Sequence, residues 1–216
     1  MTQARPAASM PARFRPPVVI LAGGAKGEDR ASSDAATALF LSALSRFAGT
    51  LISGGTTSGI AGVAGALAAA CPRAKVIGYL PRRPGRSKLD RRYARLCATP
   101  GQEFSEAECL RCWSDLIASG VDPGTVALLG WGGGRIAAFE YRLALLLGAR
   151  VGIVAGTGRS ADGLRRDPHW AHAPRLKFLP PDPAAVRAFV NAGARPARRR
   201  SMLDSKSRQT RDRGVF

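Results

Sequence analysis

Apolar runs along the chain alternate with stretches of helical spacing, and the alternation repeats. Pro17 to Ala22 is a continuous apolar run of the kind buried on both faces. It ends in Gly23-Gly24-Ala25-Lys26-Gly27, after which Ala36, Leu39, Phe40, Ala43, Leu44 and Phe47 recur at helical spacing. Ser33 is the expected N-cap of that helix and Gly49 its closing residue. Leu51 and Ile52 run into Ser53-Gly54-Gly55-Thr56-Thr57-Ser58-Gly59, and Ile60 to Cys71 is then almost wholly small and apolar. Lys75 to Leu80 is a further strand, closed by Pro81. Strand, glycine turn, helix and strand in this order form a βαβ unit. Gly62 and Gly65 cost helix propensity, which close packing of the helix on the sheet would explain.

Downstream, Arg82 to Phe104 shows little pattern and reads as a solvated loop or short helix, or as a flap offering arginine to a phosphate. Ser105 and Glu108 form a capping box for a helix that Gly120 stops. Asp122-Pro123-Gly124 is a turn, and Thr125 to Leu129 a strand that leads into Gly130-Trp131-Gly132-Gly133-Gly134. A helix over Ile136–Leu147 follows, then a strand over Arg150–Ala155 that enters Gly156-Thr157-Gly158-Arg159. Asp162 to Pro181 is polar and irregular, and Asp182-Pro183 opens a last helix. The pattern predicts an α/β fold, a doubly wound, mostly parallel sheet in a single domain over residues 17–193. Residues 1–16 and 194–216 are expected to be disordered segments, the second a basic tail. In such a sheet all the glycine turns fall at the carboxyl ends of the strands, where ligands bind.

The formal charge of +18 changes this picture less than its size suggests. Three arginines without an acid lie in residues 1–16, a net +6 in residues 81–95 and a net +6 in residues 192–216, so that only +3 remains for everything else. The charge therefore sits in the termini and one insertion. Nucleic acid binding is expected only through the basic tail, since no aromatics are interleaved with the charge. No run reaches the length of a membrane span, and residues 1–17 lack an apolar signal core, so a cytoplasmic protein without membrane contact is expected. Self-association into a homo-oligomer is expected as well. The four cysteines need no disulfide. Cys109 and Cys112 lie inside a helix, and His169 and His172 lie in a loop without accompanying acids, so no metal site is expected.

Glycine turns that feed helices are phosphate sites, because unpaired N–H groups and the helix dipole favour an anion there. The candidate ligand contacts are Gly23, Gly24 and Lys26 in the first turn and Gly54, Gly55, Thr56, Thr57, Ser58 and Gly59 in the second. Gly132, Gly133, Gly134 and Arg135 follow in the third, with Gly156, Thr157, Gly158 and Arg159 in the fourth. Arg135 opposes the dipole of its own helix, a cost that a phosphate would offset. Asp162 is expected to cap the turn after it. Glu140 has two readings, a helix acid paired with Arg142 or another surface base, or a catalytic carboxylate.

Ser53-Gly54-Gly55, Gly59, Gly62, Val76-Ile77-Gly78 and Pro81 together resemble the SLOG superfamily of Rossmann-like nucleotide-binding domains. Many of its LOG-type members are labelled lysine decarboxylase-like. Gly156-Thr157-Gly158-Arg159-Ser160-Ala161-Asp162 is similar to the TRPM-like branch of that superfamily. The resemblance spans residues 17–180. It implies a sensor-type domain for a phosphate-bearing nucleotide, such as an ADP-ribose or NAD-derived molecule, with no further cofactor required. The enzymatic LOG proteins, which hydrolyse the N-glycosidic bond of nucleoside monophosphates, carry PGG-x-GT-x-x-E. Here Gly133, Gly134 and Glu140 keep that pattern, while Gly132, Ile136 and Ala137 depart from it. The resemblance thus implies phosphoribohydrolase activity through Glu140 as the alternative.

Overall fold

A computed structural model describes residues 14–24, 30–85 and 88–193. Seven strands, β1 (Val18–Gly23), β2 (Thr50–Ser53), β3 (Lys75–Pro81), β4 (Arg95–Thr99), β5 (Ala127–Trp131), β6 (Arg150–Val154) and β7 (Leu176–Leu179), form one sheet in the order β4-β3-β2-β1-β5-β6-β7. Every neighbouring pair is parallel. The helices are α1 (Arg30–Leu44), α2 (Gly59–Ala70), α3 (Glu106–Ala118), α4 (Arg135–Leu146), α5 (Arg159–Arg166) and α6 (Pro183–Asn191). The four glycine turns accordingly converge on one edge of the sheet, as the pattern predicts.

Alternation along the strands explains why they read as unbroken apolar runs. Val19, Leu21, Ala127 and Leu129 point into a core shared with α1, α2 and α6. Val18, Ile20, Ala22 and Leu128 point to the opposite face, where α3, α4 and α5 pack. Both faces of the central strands are therefore dry. Chain order reverses direction between β1 and β5, and at such a switch point the adjoining loops part and leave a crevice.

Several expectations need correction. The helix expected from Ser33 begins at Arg30 and ends at Leu44, well before Gly49. Gly49 instead packs against Pro17, where a Cβ would collide with the Pro17 carbonyl. Gly65 makes room for the Asp90 carboxylate and Gly62 for the Thr57 carbonyl, so neither answers to the sheet. Residues 82–104 are more than a solvated loop, since they supply edge strand β4. They also supply a strap in which the Asp90 amide donates to Gly55 O (3.0 Å) and the Ala94 amide to Val76 O (2.9 Å). The stretch read as irregular, 162–181, contains most of α5 and all of β7. Periodicity missed these elements because β4 and β7 are short edge strands and α5 is mostly polar. Arg15, assigned to the N-terminal segment, donates its amide to Thr50 Oγ1 (2.7 Å) and accepts from that hydroxyl (2.9 Å).

Candidate functional site

A cavity of about 620 Å³ opens at the switch point, within the size range of small-molecule sites. Its floor is Leu21, Ala22, Ile52 and Tyr79, and its walls come from the first, second and third glycine turns, α3 and α4. Pro84, Gly85, Glu103 and Phe104 close one side. The insertion therefore does reach the cavity, but no described arginine of it lines the wall.

Of the expected ligand contacts, Gly23, Gly24, Gly54, Thr56, Gly134, Arg135 and Arg159 line the cavity, together with Glu140. Lys26 lies outside the described residues. The remaining positions hold the turns together. Gly55, at φ +74°, presses against Gly78, where any side chain on β3 would collide with it. Thr57 donates its amide to Lys88 O (3.0 Å), and Ser58 and Gly59 begin α2. Gly156 and Gly158 direct their N–H groups to the two carboxylate oxygens of Asp162 (3.1 and 3.0 Å), so Asp162 ties down the turn before it and not, as expected, the turn after it. The Thr157 hydroxyl donates to Val154 O (2.9 Å) and accepts from the Gly132 amide (2.9 Å).

The N-termini of α2, α4 and α5, which follow the second, third and fourth glycine turns, differ in what remains for an anion. At α2, the Ile60 amide donates to Gly24 O (3.0 Å). At α5, the Ser160 and Ala161 amides donate to Gly133 O and Gly132 O, both at 3.1 Å. At α4, by contrast, the first N–H groups have no intrahelical acceptor and no side chain caps them, while Gly134 to Ala137 line the cavity. Arg159, the described non-glycine residue with positive φ (+53°), lays its guanidinium beside Gly134 at this same helix start. Strained backbone of this kind persists where the surroundings enforce it, often at ligand sites. Arg135 is mostly exposed and pairs with Glu106 of α3 at 2.9 Å, a partner nothing in the sequence announced. This pairing supplies part of the offset that a phosphate was expected to provide at Arg135.

Glu140 projects from α4 into the cavity, half buried. The surface pairing is overturned, because Arg142 pairs instead with Asp167 (2.8 Å). Burial pushes the Glu140 carboxyl up to about 7, partly offset by a hydrogen bond with Cys109. Burial, and then the nearby Glu140, also raise the Cys109 and Cys112 thiols, so these cavity-lining cysteines stay protonated and poorly nucleophilic. Glu108, also in the wall, is held by Thr99 Oγ1 and by the Ser105 amide (2.8 Å) as the expected capping box. No described group of three or more His, Cys, Asp or Glu is placed to hold a metal ion.

With the geometry in hand, the sequence matches the family described as SLOG in TRPM, prokaryote, over residues 16–179. The chain belongs to this family. Among curated proteins none matches the sequence significantly. Solved structures share the fold. The molybdenum cofactor carrier protein of Chlamydomonas reinhardtii superposes with a TM-score of 0.60 at 19% identity, covering 82% of this chain and 97% of that one. The molybdenum cofactor binding protein of Rippkaea orientalis gives 0.55 at 13% identity, covering 82% and 96%. At such identities the likeness concerns the fold of the SLOG domain. No helix among the described residues is long and apolar enough to cross a membrane.

Proposed function

We propose that this SLOG domain binds a phosphate-bearing nucleotide, such as an ADP-ribose or NAD-derived molecule, and works as a sensor. The observation that carries this reading is the uncapped start of α4, which lines the cavity and has Arg159 beside it. Backbone N–H groups and the helix dipole favour a phosphate there, and the guanidinium matches its oxygens as a fork. Phe104 and the apolar floor would receive the base. A thermal-shift panel of nucleotides on the full chain tests this, because a ligand of the folded state raises apparent stability. Arg135→Ala and Arg159→Ala should each weaken a responding nucleotide about ten- to hundredfold, the scale of one charge-assisted contact. A flat panel would overturn the reading. Since two fold neighbours are described as molybdenum cofactor proteins, that cofactor belongs in the panel as a competitor.

One observation favours the second reading, a phosphoribohydrolase. Glu140, held up to about 7 inside the cavity, is suited to general acid–base work at neutral pH. Against it, Ile136 and Ala137 stand where the enzymatic pattern has a glycine and a threonine. Free base released from nucleoside monophosphates with multiple turnover, and lost in Glu140→Gln, would establish hydrolysis. Binding without release supports the sensor.

A further inference from the structure

A second hollow of about 450 Å³ lies between edge strand β7 and helix α6. Arg150 and Arg175 stand at the amino ends of β6 and β7, so its basic end faces away from the glycine turns. Lys177 adds a third cation, and no carboxylate lines the hollow. Ala185, Ala188 and Ala192 keep its α6 wall shallow, and the Phe189 ring forms part of the wall.

The cations here are placed at a cost. Arg150 holds its guanidinium over the Phe189 ring at 5.0 Å and donates to the Phe189 and Val190 carbonyls, which finishes the last turn of α6. Its Nε–H is buried and has no acceptor. A buried donor without a partner costs about 1–3 kcal/mol. Arg175 donates to Gly124 O (3.2 Å), and neither it nor Lys177 forms an ion pair with a carboxylate among the described residues. Burial, followed by repulsion from Arg175, holds the Arg150 guanidinium below its ordinary range. Other described arginines do have carboxylate partners, as Arg92 has Asp90, Arg111 has Asp115 and Arg142 has Asp167.

We propose that this hollow is a second anion site, separate from the switch-point cavity, which takes a small phosphate-bearing molecule. The phosphate sits between Arg175, Lys177 and the open side of Arg150, and the body of the molecule lies along the alanine face of α6 beside Phe189. An anion there relieves the repulsion between the two arginines. Guanidinium groups also suit phosphate oxygens in number and geometry.

Inorganic pyrophosphate is the probe, titrated into the ¹⁵N-labelled full chain at physiological salt, so that loose association with the exposed basic surface is screened. The amides of Lys177 and Ala188 should shift in a saturable manner. In the double variant Arg175→Gln, Lys177→Gln the dissociation constant read at those amides should rise at least tenfold. Shifts near Gly134 should persist in it and vanish in Arg135→Ala instead. Ala188→Glu is the complementary variant. It puts a carboxylate into the hollow, and should raise the melting temperature while abolishing the response at Lys177. Shifts at Lys177 that stay linear, that survive the double variant, or that disappear with Arg135→Ala would overturn the proposal. So would an Ala188→Glu protein that responds to pyrophosphate like the unmodified chain.

Discussion

Glu140 couples the cavity to pH. Its carboxyl titrates in the folded chain near 7 against an ordinary value of 4.5, because desolvation penalises the charged form. The sign follows from linkage. The stability tied to the neutral carboxyl is fully present below pH 4.5 and is lost as pH rises through 7, an upper figure of roughly 3 kcal/mol. Glu140→Gln carries no such loss. Urea unfolding between pH 4 and 8 should therefore show the unmodified chain weakening relative to the variant, with most of the change above pH 5. Parallel profiles would mean that the carboxyl is well hydrated. Two glycines make a second contrast at this scale. A Cβ at Gly78 would meet the Gly55 backbone at 2.6 Å and Leu96 at 2.8 Å, whereas one at Gly163 meets nothing within 4 Å. Gly78→Ala should cost about 1–3 kcal/mol by overpacking. Gly163→Ala, inside α5, should add up to about 1 kcal/mol. The same urea curves read both.

At the scale of elements, α3 and α4 face one another across the cavity mouth with different N-termini. The first turn of α3 has a capping box and two acids. That of α4 has no acid and opens on a cation, Arg135, which borrows its carboxylate from α3. A phosphate seated at α4 would compete with Glu106 for that guanidinium. Glu106→Gln should consequently tighten a binding nucleotide a few-fold, and the gain should disappear when Arg135→Ala is added. Calorimetry on the four proteins of this cycle isolates the coupling. Equal affinities in Glu106→Gln and the unmodified chain would show that Arg135 is held too far out to touch the ligand.

For the molecule as a whole, the insertion is the part that ties the sheet edge to the ligand cavity. Its strap is centred on Asp90, 2% exposed, whose carboxylate takes three hydrogen bonds from Arg92, two from the guanidinium and one from the amide. The Arg92 guanidinium beside Asp90 holds its carboxyl below the usual range. The stability this contributes is present above the ordinary carboxylate range and is lost as pH falls beneath it. Asp90→Asn should thus lower stability at pH 7 and remove that share of the acid sensitivity, as followed by acid titration of the near-ultraviolet circular dichroism. An unchanged profile would leave the strap without an energetic role.

Much of this was legible in the chain alone. Apolar runs dry on both faces forced a parallel sheet, and the glycine turns that end them had to share one edge, because parallel strands have a common direction. Capping signals at Ser105, Asp122 and Asp182 act through neighbours a few residues away, so they survive without tertiary context. Three matters were decided only by tertiary structure. Edge strands β4 and β7 are half-exposed and short, and gain their identity by pairing with β3 and β6. Which helix N-terminus stays open depends on whether the carbonyls of another loop reach it, and all the turns look alike as sequence. The partners of Arg135 and Glu140 are likewise set by which elements the sheet order brings side by side. Local pattern encodes the elements and their direction, while pairing across the chain determines which of their polar groups are consumed and which remain for a ligand.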